Sequence, residues 1–331
     1  MKVGTICYAT SRGLGHLARD FYVNGVVTDF MVMLHPDVPA NKDWYPNAPT
    51  VDKKNPDLTV MKAFCAGMDA MLFFETPFEW SLLNYCRSIG VRTYLITMYE
   101  CTPRDHGRPH KYLCPSLLDV DYFNGELVTL PVDREWKLKE HAEVFVHNGG
   151  YLGEPGSDGV MREGTETVIR AMSYVKSPLK LLIRTQEEVA PNLQKIMARD
   201  KRIEYMLGTV PYDDLYSTAD VSIGAQKWNG CSLPLQEAFA SGVLVINTDR
   251  YPMNRWLPRE ALVKPSQTVK HTIGRCMEFD ESIVNPLWLA AKMDEWYGKN
   301  ITQQSLAGKA WADRNSWAAL KPHYQSILGS V

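Results

Sequence analysis

Between residues 220 and 248 the chain reads DVSIGAQKWNGCSLPLQEAFASGVLVINT, a stretch whose glycine, amide and carboxylate are spaced to hold a ligand. DVSIG and VLVIN are apolar and rich in β-branched residues, which predicts two strands. QKWNGCS has turn chemistry, and LPLQEAFAS places Pro234 at the start of a helix that Gly242 ends. This is a βαβ unit, and such units build parallel sheets whose ligands sit beyond the carboxyl ends of the strands. The loop 225–232 is therefore the expected floor of a site. Backbone amides over Gly230, Cys231, Ser232 and Leu233 would cradle an anion, and Glu237, expected in the first turn of the helix, would accept hydrogen bonds from sugar-like hydroxyls. An acid beside an anion cradle points to a nucleotide sugar.

The segment resembles the signature of the retaining GT-B glycosyltransferases of the glycogen-synthase and sucrose-synthase kind, E-G-F-G-L-P-x-x-E-A-x-A-x-G-x-P-V. Here it reads N-G-C-S-L-P-L-Q-E-A-F-A-S-G-V-L-V. The resemblance implies an α/β fold of two Rossmann-like domains with an interdomain cleft: an acceptor-binding domain over 1–137, a nucleotide-sugar-binding domain over 138–310, and a helix over 311–331 crossing back to the first. It implies a nucleoside diphosphate sugar as donor, UDP- or GDP-linked, with no further cofactor and no metal. In that family the second Glu binds the ribose and the first meets the transferred sugar; by position these are Glu237 and Asn229. An amide in place of the first acid still hydrogen-bonds hydroxyls but carries no charge. Relatives place basic side chains after a G-R strand end and in an R-K-G before the next helix to neutralise the diphosphate. This chain has Gly149-Gly150-Tyr151 and Arg162-Glu163-Gly164, so Arg162 survives while the Lys is Glu163. Arg184, at the end of LKLLIR, and Lys227 are the other cations that would stabilise the leaving diphosphate. Arg184 reads equally well as a surface residue. Gly208, Val210 and Tyr212 match the loop that covers the nucleobase.

The rest of the chain frames that site. With 331 residues, 45% hydrophobic and 22% charged, it is long enough for two α/β domains. No apolar run reaches the length of a membrane span, and MKVGTICYATSRG reads as an opening strand rather than a signal peptide, so a cytoplasmic location is expected. Seven cysteines without a C-x-x-C pair fit a reducing compartment. Residues 1–135 carry 13 Lys and Arg against 16 Asp and Glu, which argues against general nucleic-acid binding. No P-loop, G-x-S-x-G or H-E-x-x-H motif is present, and the Asp213-Asp214 pair reads as a helix start, not a metal site.

After the first strand, Gly13-x-Gly15-x-x-Ala18 imitates a dinucleotide fingerprint. A NAD-type oxidoreductase would want an acid at the end of the second strand, where His35-Pro36-Asp37 stands instead. In the GT-B reading Gly13, Gly15 and His16 face the sugar and phosphates; the alternative is a tight turn with a surface histidine. Residues 36–60 read as a long loop, with Trp44 and Tyr45 either stacking on an acceptor or anchoring the loop. Beyond VRTYLITM, Glu100, Arg104 and His106 are the candidate acceptor contacts, within a basic cluster that serves one anionic group or is simply solvated. GELVTLPVD reads as the last strand of the first domain, Thr165 as the cap of the helix after the 151–161 loop, and TVKHTIGRCMEF, PLWLAAKMDEWYGKN and the remainder as helices. The acceptor itself is a hydroxyl on a modified DNA base, a glycan or a small molecule. A non-catalytic nucleotide-sugar-binding relative is the alternative that Asn229 and Glu163 keep open.

Overall fold

The computed structural model describes residues 1–99, 101–103, 106–150, 162–273 and 277–329. The chain forms two compact units, one built from Met1–Pro131 and the stretch from Trp317, the other from Val132–Ile273 and Glu278–Ser316.

The first unit opens with β1 (Val3–Tyr8), α1 (Gly13–Val23), β2 (Asp29–Leu34) and β3 (Thr50–Asp52). It continues through α2 (Leu58–Ala66), β4 (Ala70–Phe74), α3 (Ser81–Ser88) and β5 (Arg92–Ile96) to β6 (Lys111–Cys114), α4 (Leu117–Phe123) and β7 (Glu126–Leu127). The strands form one parallel sheet in the order β3-β2-β1-β4-β5-β6-β7. AMLFF of β4 is buried at every position, the pattern of a central parallel strand covered on both faces. Residues 36–60 are not a continuous loop: β3 extends the sheet, and Asp57 accepts hydrogen bonds from the amides of Thr59 and Val60 to start α2. Tyr45 is buried and stacks on Phe30 with ring centroids 3.8 Å apart, so it anchors that segment. Of GELVTLPVD only Glu126 and Leu127 are strand.

The second unit comprises β8 (Val144–Gly150), α5 (Thr165–Ala171), β9 (Lys180–Thr185), α6 (Pro191–Arg199), β10 (Ile203–Leu207) and β11 (Val221–Ile223). There follow α7 (Leu233–Ala240), β12 (Leu244–Thr248), β13 (Leu262–Val263), β14 (Gln267–Ile273), β15 (Met277–Ile283), α8 (Pro286–Trp296) and α9 (Thr302–Arg314). Its parallel sheet runs β10-β9-β8-β11-β12-β13. β14 and β15 pair with each other where the sequence predicts helix. Thr268, Val269, Thr272 and Ile273 are β-branched, and a strand partner outweighs the helical spacing around them. The final helix, α10 (Trp317–Gly329), belongs to the first unit's core, where Trp317 and Tyr324 each meet the Phe21 ring edge-on at 4.8 and 4.9 Å. No helix among the described residues is long and apolar enough to cross a membrane.

Candidate functional site

In the second sheet the chain reverses its direction of winding between β8 and β11, so the loops leaving these neighbours part to opposite faces and leave a crevice at their carboxyl ends. Gly149 and Gly150 end one strand and the loop 224–232 follows the other. His147 ties the two together. Its Nδ1 lies 2.8 Å from the Ile223 carbonyl, so that nitrogen carries the proton and donates, and Nε2 accepts from the Thr165 hydroxyl at 2.9 Å. Burial pulls its pKa below the ordinary 6.5 and keeps the ring neutral. Thr165 is consequently the first helical residue with its hydroxyl engaged, and not the cap the sequence predicts; Gly164 caps α5 at φ +71°. A Cβ on Gly164 would lie 2.1 Å from the Ala225 carbonyl oxygen, so only glycine lets the start of α5 approach the β11 loop this closely.

The loop is filled by its own polar groups. Asn229 Oδ1 accepts from the amides of Cys231 (3.2 Å) and Ser232 (2.7 Å), two of the donors expected to cradle an anion. Pro234 in the first turn has no amide to offer. Leu233 begins α7, and Ser232 before it sits at φ +51° with its hydroxyl 2.7 Å from Gln226 Nε2. The same Gln226 amine donates to Glu163 Oε2 at 2.6 Å, while Gln226 Oε1 is buried with no hydrogen-bond partner among the described residues.

Each expected cation also has an acceptor. Arg162 Nε is 3.2 Å from Glu163 Oε1. Lys227 Nζ pairs with Glu281 Oε1 at 3.2 Å, with side-chain exposures of only 18% and 6%. Arg184 donates through Nη1 to the Leu215 carbonyl at 2.7 Å, which makes it a support of the 212–215 turn rather than a surface residue. Burial holds its pKa below the ordinary value.

Glu237 sits in the middle of α7, not in its first turn, because the helix begins only at Leu233. The Tyr212 hydroxyl donates to its Oε1 at 2.5 Å, and Arg134 Nη2 faces Oε2 at 3.2 Å; the two charged side chains are 5% and 11% exposed. Arg134 also donates from Nη1 to the Tyr212 carbonyl (2.7 Å) and lies over the Tyr212 ring, 3.3 Å from its centroid. Beneath them the Tyr216 hydroxyl donates to the Pro234 carbonyl at 2.7 Å and stays protonated, since burial and then the Glu237 charge raise its pKa. Glu237 thus offers hydroxyl donors the lone pairs that Tyr212 and Arg134 leave over, with its charge already compensated. Sequence reasoning missed Arg134 and Glu281; nothing in the one-dimensional pattern links either to the motif. Gly208, at φ +127°, donates its amide to the Thr185 carbonyl, and Val210 is half-buried just before Tyr212.

The remaining candidates lie in the first unit. Gly13 opens α1, Gly15 packs so close to Thr10 that a Cβ would stand 2.1 Å from its carbonyl oxygen, and the His16 ring lies 5.2 Å from Trp44. His106 is exposed, 5.0 Å from the Trp80 ring. Glu100, Arg104 and the 151–161 loop fall outside the described residues. Among the described residues no group of His, Cys, Asp and Glu could hold a metal ion.

Two parallel α/β units of this kind are the GT-B fold, and solved structures carry the comparison over the entire chain. HepE from Anabaena in complex with UDP matches with a TM-score of 0.71 at 10% identity, covering 100% of both chains. A glycosyltransferase from Rickettsia africae matches with 0.68 at 12% identity, again over 100% of each. Sucrose-phosphate synthase from Thermosynechococcus elongatus matches with 0.65 at 15% identity and the same full coverage. At such identities the likeness establishes the fold. No family model matches the chain, and no curated protein matches it in sequence.

Proposed function

We propose that this protein is a glycosyltransferase that takes a sugar from a UDP- or GDP-linked donor bound by the second unit. The observation that carries the reading is Glu237, a nearly buried carboxylate on the helix following β11, held by Tyr212 and Arg134 beside the crevice where the sheet changes winding. It is the position at which the ribose-binding acid of the resembled family falls. That HepE has been solved with UDP and with UDP-glucose supports the same donor class.

In this reading Glu237 accepts from the ribose hydroxyls, and the loop from Gly208 to Tyr212 covers the base. Asn229 hydrogen-bonds the sugar through its amide. The anomeric C–O bond to the diphosphate breaks as an acceptor oxygen bonds the same face of that carbon, so configuration is retained; the acceptor proton passes to the departing phosphate oxygen. Arg162 and Lys227 stabilise the leaving charge by turning from Glu163 and Glu281, and no metal is needed. Gly13, Gly15 and His16 serve the sugar and phosphates of the donor, and His106 serves the acceptor, whose hydroxyl belongs to a DNA base, a glycan or a small molecule.

The test is turnover: incubation with UDP-glucose and GDP-linked sugars should release nucleoside diphosphate and transfer or slowly hydrolyse the sugar with retention at the anomeric carbon. A second reading is favoured by the carboxylate beside each of Arg162 and Lys227, which lowers the positive charge available to a leaving diphosphate. It predicts donor binding without any release, a sugar-nucleotide-binding protein on the same fold.

A further inference from the structure

We propose that the second unit holds a phosphate-class oxyanion in a cavity of about 320 Å³ that shares Arg134 and Tyr216 with the surroundings of Glu237 and draws its other cations from Lys137 and Lys139. The segment from Arg134 to Lys139 forms one wall; Asp213, Tyr216, Ser217 and Ser241 complete it.

Three observations carry this. Arg134 has a side chain only 5% exposed, yet its Nε has no hydrogen-bond partner among the described residues, and its Nη2 faces Glu237 without a well-formed hydrogen bond. A buried N–H left without an acceptor is costly, and native proteins leave few of them. Lys139 is half-buried, and its Nζ lies at the long distance of 3.4 Å from the Ser217 carbonyl. Burial lowers its pKa; Asp220 opposes that shift and Lys137 adds to it. The wall is also fixed in place. Trp136 donates to the Ser305 carbonyl at 3.0 Å, the Lys139 amide to the Ser305 hydroxyl at 3.1 Å, and the Lys137 amide to the Ser241 carbonyl at 3.2 Å. The backbone that carries the three cations is therefore held before any ligand arrives.

Donors and size select the ligand. On the cavity lining Arg134, Lys137 and Lys139 meet Glu135 and Asp213, with Glu135 engaged by Lys137 at 3.3 Å in an exposed pair; off the lining Arg134 also faces Glu237 at 3.2 Å and Lys139 feels Asp220, so the donors left over, rather than net charge, are what an oxyanion would take. A dianion with oxygens in several directions can take donors from a guanidinium and two ammoniums together, whereas a single carboxylate leaves one unused. The volume lies at the small end of ligand pockets, about 300–1,000 Å³, and accommodates free phosphate or the phosphate of a small ester.

The experiment titrates inorganic phosphate, and separately glycerol 3-phosphate, into the whole chain by calorimetry at constant ionic strength with no nucleotide present. One saturable site is expected, weakened about tenfold or more in Lys139→Gln and less in Lys137→Gln. Tighter binding of the ester marks a phosphorylated metabolite as ligand, and tighter binding of phosphate marks the free ion. Lys137 is half-exposed, so its variant remains informative if Lys139→Gln fails to fold. Absence of saturation, equal affinity in both variants, or displacement of phosphate by equimolar UDP would overturn the proposal. Since nucleotide enters only that last step, failure of the glycosyltransferase reading leaves the titration intact.

Discussion

Glu237 meets two donors before any ligand arrives, and this decides how it can be tested. Replacing it with Ala would leave the Arg134 guanidinium buried without its counter-charge, a change that typically costs about 3–5 kcal/mol and confuses folding with binding. Glu237→Gln removes the charge as well but keeps an acceptor for both Tyr212 and Arg134, so it is the informative variant once its melting temperature is measured beside its affinity. His147 gives a second residue-scale prediction. Its folded pKa lies below 6.5, so unfolding takes up a proton as pH falls through that value; the stability is complete above it and is lost on acidification. Melting temperature should drop between about pH 7.5 and about 5.5, and should drop less in His147→Asn; parallel slopes would contradict the assignment. The motif spacing singled out Glu237 in the sequence, since an acid near a helix start by itself has the ordinary reason of the helix dipole. That spacing hid what Glu237 pairs with. Arg134 is a hundred residues upstream, and a contact of that range leaves no trace in spacing.

Among elements, the start of α5 is tightly constrained. Gly164 combines a left-handed backbone with a Cβ direction that runs into the Ala225 carbonyl. Gly164→Ala should therefore destabilise the second unit by roughly 1–3 kcal/mol, read as a lower denaturation midpoint, and should disturb the β11 loop with it. An unchanged midpoint would show that the two loops do not need this approach. The strands and α7 could be read in advance because β-branched runs and Pro and Gly punctuation agree with the tertiary fold. The stretch 267–283 could not. Its residues tolerate both a helix and a strand, and pairing between β14 and β15 decides. In the expected anion cradle, two amides that look free in sequence, those of Cys231 and Ser232, donate to the side chain of the loop's own Asn229.

For the whole molecule, two parallel sheets with a reversal of winding at β1/β4 and at β8/β11 provide two crevices, and the polar side chains of the motif gather at the second. Local pattern revealed the sheet class of each unit, and the family resemblance the two-unit plan. The distribution of charge around the candidate site was not legible, because pairings such as Lys227 with Glu281 arise only when β15 folds back on the loop. Calorimetric titration of UDP, GDP and their sugars into wild type and Glu237→Gln tests the central claim that this acid grips a nucleotide. The account predicts saturable binding of at least one of them by wild type and a loss of affinity of about tenfold or more, roughly 1.4 kcal/mol, in the variant. Equal affinity in the two proteins, or no binding to either, would contradict it.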